Sequence, residues 1–304
     1  MSQSKRLAVA GFCLLSTAAI AETPPSALIQ PESGVIVASA QPIDGSLTSK
    51  STAQISSSSE WGRDLKDRLA LNYWGAYYGP SVGGPNDYTP SYDGSSGDVQ
   101  YLDGVITAGY RPSKKTLVGV GVPQIYTPFR ENKGITTSNL FIRLSDSEII
   151  SRGRFKVGMG SRFYLPTNSD ARDAGFVTGI RFEQNTTYDF RKIPLTLGLF
   201  TYERPYFYSS KATSGNPLTL YGAPYATYQL SQRLAATLWI DLIQLKQSKG
   251  QSMADMPNAP VDVQPGINWD VNDNLSVNPY LNLYPGNLTA NASSVGMIVS
   301  AKVL

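Results

Sequence analysis

The fold of this chain is decided by the stretch FKVGMGSRFYL, residues Phe155–Leu165. Every second side chain, counted from the first phenylalanine, is uncharged and mostly apolar, whereas the interleaved positions carry a lysine and an arginine. The segment Phe176–Glu183 alternates in the same way, with an arginine and a glutamate on its polar face, and a polar break at 166–175 joins the two. A period of two residues is the signature of a β-strand. The stretch therefore predicts an antiparallel hairpin with one apolar face and one charged face.

Two all-β folds fit such a hairpin, and the alternation alone does not separate them. In a soluble β-sandwich the apolar face forms the core and the charged face meets water. In a transmembrane β-barrel the apolar face meets lipid and the charged face lines the lumen. The choice depends on the N-terminus, on the lengths of the connections and on the placement of aromatic residues.

The N-terminus predicts a secretory signal peptide at residues 1–21. Lys5 and Arg6 precede an apolar run that ends in Ala19-Ile20-Ala21, the small-x-small pattern that signal peptidase recognises. The run is too short to span a bilayer as a helix. Residues 22–65 are rich in Ser, Thr, Pro and Ala, which predicts a mostly disordered periplasmic segment. A lumen plug or a peptidoglycan tether is the alternative for this segment.

The composition argues against several classes of function. The chain has 304 residues, no histidine and one cysteine, Cys13, which lies inside the predicted signal peptide. The mature chain therefore has no disulfide, no thiol nucleophile, no Ser-His triad and no histidine-based zinc site. Without Lys5 and Arg6, the 26 basic residues become 24 against 23 acidic ones, a balance that gives no reason to expect nucleic-acid binding. We expect neither an enzyme nor a metal or cofactor site.

From residue 66 onward the chain forms a series of twelve alternating segments of about ten residues, the length that a tilted strand needs to cross the hydrocarbon layer. The connections after odd-numbered segments are long, as at 79–98, whereas those after even-numbered segments are short, as at 111–115; the exception is 146–154. Long exterior loops and tight periplasmic turns are typical of membrane barrels. We therefore predict for 66–304 an antiparallel up-and-down transmembrane β-barrel of about 12 strands, with both termini in the periplasm.

Aromatic residues on the apolar phase support the barrel. A membrane barrel carries two aromatic girdles, one at each lipid headgroup region. The predicted periplasmic girdle consists of Tyr110, Tyr188, Tyr228 and Trp269, and the predicted exterior girdle of Tyr77, Phe163 and Phe176. A soluble sandwich would carry such residues on this phase only by chance.

With these features, residues 66–304 resemble bacterial outer-membrane β-barrel proteins of the porin or transporter type. The final segment, Ser294–Leu304, is similar to the strand that such proteins present to the barrel-assembly machinery, although this chain ends in a leucine where the family usually has an aromatic residue. The resemblance implies location in the cell outer membrane, contact with outer-membrane lipid and insertion by the assembly machinery. We expect a monomer.

The lumen of such a barrel is narrow. Twelve strands spaced about 4.8 Å apart and tilted about 40° give a cylinder of roughly 24 Å and a channel of about 10 Å or less. Charged residues on the inward phase include Asp103 and Arg204. The candidate pore-lining residues are seven others on this phase: Arg143, Lys156, Arg162, Arg181, Glu183, Asp241 and Asp262. The basic ones lie on three consecutive strands and the aspartates on two adjacent strands across the barrel. Opposed charged walls create a transverse field that orients polar solutes.

We therefore expect a narrow channel for the passive uptake of small polar solutes. The sequence leaves open a plugged, non-conducting barrel, in which the same charges pair and fill the interior, and which acts as a structural, surface-display or envelope-anchoring protein. Inward tyrosines fit both hypotheses, since they can fill space or provide a surface along which solutes move. The pairing of Arg162, Arg181 and Glu183 distinguishes a filter from a plug.

Overall fold

The structure, a computed structural model, describes residues 68–84, 87–128 and 134–303. The predicted signal peptide and the whole of the predicted periplasmic segment 22–65 lie outside these residues, as does Leu304. Within the described ranges, no helix is long and apolar enough to cross a membrane.

The described residues form sixteen strands, a short helix α1 (Ser169–Asp173) and a 3₁₀ turn at Met253–Asp255. The strands are β1 (Leu69–Ser81), β2 (Tyr88–Pro90), β3 (Ser96–Val99), β4 (Tyr101–Tyr110), β5 (Thr116–Thr127), β6 (Gly134–Thr137), β7 (Phe141–Arg152), β8 (Phe155–Tyr164), β9 (Phe176–Asp189), β10 (Leu195–Tyr208), β11 (Leu218–Gln229), β12 (Leu234–Asp241), β13 (Ile243–Gln247), β14 (Asp262–Asn272), β15 (Leu275–Asn282) and β16 (Ser294–Lys302).

These strands build one closed antiparallel barrel with twelve positions. Neighbours in the sheet are neighbours along the chain, β1-β4-β5-β7-β8-β9-β10-β11-β12-β14-β15-β16, and β16 pairs with β1 from Asn72–Lys302 to Ser81–Ser294. β13 continues β12 along the same partner, β11, after the register shifts by one residue at Leu242. The prediction of a twelve-strand up-and-down barrel is confirmed.

The barrel exposes its apolar face and buries its charged face. Leu144 and Phe182 are 52% and 51% exposed, whereas Arg181 and Glu183 are 3% and 4% exposed. A soluble sandwich would show the opposite arrangement, because its apolar face would be the core. Exposed apolar side chains distributed around a closed barrel form a lipid-facing surface.

The aromatic residues predicted to form the two girdles lie near the strand ends, and all but one of them face outward. At the end that carries the short turns, four of them are 39% to 50% exposed: Tyr110, Tyr188, Tyr228 and Trp269. The prediction that Phe176 faces lipid is wrong. The pairing of β9 with β10 shifts by one residue between Tyr208–Phe176 and Phe207–Thr178, so that Val177 bulges outward and Phe176 turns inward, where it is buried. A bulge adds one residue and thereby reverses the alternation.

The connection predicted as long at 146–154 is a tight turn. β7 continues to Arg152 and accommodates the additional residues between Asp146 and Ile150, where its register with β8 shifts. Gly153, in the turn, has a φ of +67°, a left-handed conformation that glycine adopts without the steric cost of a Cβ atom.

The long loops fold over the opposite mouth of the barrel. The first loop contains the β2–β3 hairpin, and its Tyr92 ring meets the ring of Tyr284 edge to face at 5.4 Å between centroids. The third loop contains α1, whose N-cap residue Asn168 accepts a hydrogen bond from the backbone N–H of Ala171 at 2.9 Å. Ala171 is buried against an inward-facing aromatic cluster that includes Phe141. The loop end of the lumen is therefore filled mainly by aromatic side chains.

Candidate functional site

Below the aromatic cluster, toward the short turns, three arginines on consecutive strands surround one glutamate. Arg143 faces Arg162 across the β7–β8 pair, and Arg162 faces Arg181 across the β8–β9 pair. The Nε atoms of Arg162 and Arg181 each lie 2.8 Å from Oε1 of Glu183, in directions poorly aligned for hydrogen bonds, so the contacts are ion pairs. Arg143 also acts electrostatically on Glu183. One buried carboxylate thus holds the arginine row together.

Aromatic rings cover the guanidinium groups of this row. Cζ of Arg181 lies 3.8 Å from the centre of the Tyr202 ring, and Cζ of Arg162 lies 4.9 Å from the centre of the Phe141 ring. The face of an aromatic ring carries partial negative charge, and its attraction for a cation grows when water is excluded. The rings therefore stabilise positive charge in a part of the barrel that is largely closed to solvent.

Two further cations extend the row, and sequence reasoning left both out of the candidate site. Arg204 of β10 faces Thr219 of β11, which in turn faces Lys246 of β13. Arg204 could have been included in the candidate site, because the alternation of the sequence places it on the inward phase. In the structure it is buried. Lys246 could not, because strict alternation from β12 directs it to lipid and only the register shift at Leu242 turns it inward.

The opposite wall carries a pair of aspartates. Asp241 and Asp262 face each other across β12 and β14, and both are buried. Nε2 of Gln264 donates to a carboxylate oxygen of each, at 3.2 Å and 3.1 Å. Nε1 of Trp239 donates to Oδ1 of Asp241 at 2.7 Å, and the Tyr221 hydroxyl donates to the same oxygen. In the described part of the chain, no group of three or more acidic, cysteine or histidine side chains could hold a metal ion.

Two tyrosine rings join the basic wall to the acidic wall. The rings of Tyr202 and Tyr221 stack at 4.8 Å with an angle of 16° between their planes. Because Arg181 lies on Tyr202 and Tyr221 donates to Asp241, a continuous chain of side chains runs along the inner wall over the neighbouring strands β9, β10, β11 and β12. We call these four residues, together with Arg162, Glu183 and Asp262, the charged layer.

Lys156 lies apart from the charged layer. It is six residues from Arg162 along β8, roughly 20 Å at the rise of a strand. Its Nζ atom lies 3.8 Å from Oδ2 of Asp189, and both side chains are 44% exposed. By contrast Asp103 of β4, which was not among the candidate pore-lining residues, acts electrostatically on Arg162. The structure therefore brings together six of the seven candidate residues, in two opposed groups, and leaves Lys156 near the short turns.

A cavity of about 480 Å³ lies between the charged layer and the short turns. Of the seven candidate residues, Arg143 alone lines it. Its mouth is formed by turn residues such as Arg111, Lys114 and Asp273, and its walls by amide, hydroxyl and aromatic side chains. None of its lining residues belongs to a long loop, so the cavity ends within the barrel.

Similarity to known proteins is found among solved structures. No family model matches the sequence, and no curated protein matches it. Among solved structures, the chain is similar to an outer membrane channel from Pseudomonas putida F1, with 10% identity over 77% of this chain and 95% of that one and a TM-score of 0.48. It is also similar to the NanC porin, with 10% identity over 77% of this chain and all of that one (100%) and a TM-score of 0.46.

Proposed function

We propose that the protein is an outer-membrane channel for the passive uptake of small polar solutes, with its constriction at the charged layer. The observation that carries the proposal is the cavity of about 480 Å³ inside the barrel. In a small barrel, inward side chains are able to fill the interior. A barrel that served only as an anchor would have no use for such a cavity.

The composition of the charged layer supports a selective constriction. Arginines on one side and aspartates on the other produce a field across the lumen, which favours solutes with separated partial charges and disfavours apolar ones. The two walls are joined through the stack of Tyr202 on Tyr221. Both rings project from neighbouring strands into the lumen, so rotation of the rings toward the wall would widen the constriction without any movement of the strands.

A plugged barrel is the second candidate, and one observation favours it. Arg181 and Glu183 are almost completely buried and form an ion pair with each other, as expected for charges with a structural role. In that case the charged layer would hold the barrel closed permanently. The protein would then act through its loops or through the segment before β1.

Planar-bilayer recordings of the refolded protein distinguish the two candidates. Native folding is checked by heat-modifiable gel mobility. We expect stepwise currents from the wild type and larger steps from Tyr221→Ala, which removes one inward ring of the charged layer. Tyr228→Ala is the matched control, since this tyrosine lies on the lipid face of the same strand and is 44% exposed. Silence of both the wild type and Tyr221→Ala at all voltages, with native mobility, would refute the channel and support the plug.

The outer surface supports the location that this proposal requires. Exposed leucine, valine and phenylalanine side chains around the barrel match lipid chains, and the exposed aromatic residues at the turn end match lipid headgroups. The proposal includes insertion by the barrel-assembly machinery and function as a monomer. Crosslinking in native membranes followed by gel analysis tests the monomer, and a specific dimer band would contradict it.

A further inference from the structure

We propose that the cavity on the turn side of the charged layer is a binding site for a neutral, polyhydroxylated solute, the size of a mono- or disaccharide. The inference rests on the proposed channel function and deepens it, because it names the class of solute that would bind in the cavity during passage through the channel. The volume of the cavity, about 480 Å³, lies within the range of about 300–1,000 Å³ that is usual for small-molecule sites.

The cavity wall is rich in uncharged hydrogen-bonding groups. They include Asn72, Thr107, Asn185, Thr237, Asn268 and Asn278. Most of the lining charges lie at the two ends of the cavity, with Arg143 next to the charged layer and the charged turn residues at the mouth. An amide offers both donors and acceptors, and a hydroxyl group on a solute is likewise both donor and acceptor. A wall of amides and hydroxyls is therefore suited to a solute with many hydroxyl groups.

An aromatic pair gives the cavity a rigid apolar surface. The rings of Tyr225 and Trp239 stack at 5.0 Å with an angle of 14° between their planes, and both line the cavity. The Tyr225 ring lies directly on Gly198, where a Cβ atom would come within 2.1 Å of it, and its hydroxyl donates to Oδ1 of Asn185 at 2.9 Å. Apolar and aromatic surface with a few placed polar groups is the usual make-up of a small-molecule site, and it suits the C–H faces of a sugar ring.

Three polar atoms of the lining residues point to a ligand that can both donate and accept. Trp74 is 6% exposed, and its indole Nε1 has no hydrogen-bond partner among the described residues; the same holds for Oδ1 of Asn72 and Oδ1 of Asn278. Buried polar groups in folded proteins are nearly always hydrogen-bonded. Each of these atoms is closed to solvent in this structure, so a sugar hydroxyl reaches it only when its side chain rotates toward the cavity. One donor and two acceptors then match the hydroxyl groups of a sugar. A carboxylate can only accept, so an acidic group would satisfy the indole and neither amide oxygen.

Isothermal titration calorimetry tests the site on the refolded full-length mature protein. The detergent must be a non-glycosidic one, since a maltoside headgroup would compete. The probes are glucose and maltose, with glucuronate as the acidic sugar of matched size. We expect saturable heats with glucose or maltose, weaker binding of glucuronate, and an affinity at least about fivefold lower in Trp74→Phe, which loses one hydrogen bond and keeps an aromatic ring. Trp269→Phe, on the lipid face, serves as the matched control and should bind as the wild type does.

Three results would overturn the proposal: no saturable heat with either neutral sugar, tighter binding of glucuronate, or an affinity in Trp74→Phe equal to that of Trp269→Phe. If Trp74→Phe fails to reach native gel mobility, Asn278→Ala takes its place with the same expected loss. Because the titration requires no current, the two proposals fail separately. Sugar binding without conductance would refute the channel alone, and conductance without sugar binding would refute the site alone.

Discussion

Replacing Glu183 by glutamine should destabilise the barrel by about 3–5 kcal/mol. Glu183 is 4% exposed, and the Nε atoms of Arg162 and Arg181 both lie 2.8 Å from its Oε1. Glutamine keeps the shape of the side chain but removes the charge, so that two nearly buried guanidinium groups lose their shared counter-ion. Removing one partner of a buried ion pair costs about 3–5 kcal/mol, because the remaining charge stays out of water without compensation.

The matched control is Asp189→Asn. Lys156 and Asp189 are also on inward positions of the β8–β9 pair, but their atoms are 3.8 Å apart and both side chains are 44% exposed. Exposed pairs contribute about 0–1 kcal/mol, so this variant should stay close to the wild type.

The assay is urea unfolding of the protein folded in phospholipid vesicles, followed by tryptophan fluorescence and by gel mobility, with linear extrapolation to zero urea. If Glu183→Gln and Asp189→Asn lower the free energy of unfolding by amounts that agree within about 1 kcal/mol, the reasoning is refuted. They would mean that water or lipid headgroups screen the arginine cluster and that the charged layer is open in solution.

Three further predictions concern other parts of the barrel. Tyr221→Phe should lower the free energy of unfolding by about 1.5–3 kcal/mol, because Asp241 loses a hydroxyl donor. Tyr202→Phe keeps the stack, and its free energy of unfolding in urea should lie within about 0.5 kcal/mol of the wild-type value. Gly198→Ala should lower the free energy of unfolding by about 1–3 kcal/mol, since its Cβ would meet the Tyr225 ring at 2.1 Å. The control Gly222→Ala, whose Cβ would have its nearest contact at 3.5 Å, should unfold at nearly the wild-type urea concentration. In single-tryptophan variants, brominated lipids should quench Trp269, which is 50% exposed on the outer face, much more than Trp74, which is 6% exposed; equal quenching would contradict the assignment of faces.

Much of the fold could be predicted because a membrane barrel places strong constraints on each strand. Lipid cannot hydrogen-bond the backbone, so every strand must pair and the sheet must close. Each strand must also alternate between lipid and lumen, which leaves a period of two residues in the sequence. The hairpin from Phe155 to Glu183 shows this alternation clearly, and its Arg162 and Arg181 face each other in the barrel.

The positions that were mispredicted share one physical cause. Phe176 turns inward and Lys246 joins the cationic row because each lies beyond a one-residue shift of register. A bulge reverses the face toward which each later side chain of the strand points, while the composition of the strand stays the same. The tight turn after β7 was missed for a related reason, since irregular pairing between Asp146 and Ile150 hides the alternation there.

By itself, the sequence determined the strand number, the face of nearly every strand and the existence of two opposed charged walls, because these depend on the order of residues along each strand. Only the tertiary structure decided how the walls interact. Glu183 pairs with two arginines of its own wall, the tyrosines Tyr202 and Tyr221 join the basic wall to Asp241, and a cavity remains on one side of them. These features depend on which side chains of neighbouring strands meet inside a closed cylinder, and on the rotamers that let aromatic rings lie on glycines and guanidinium groups. No periodicity along the chain records those contacts.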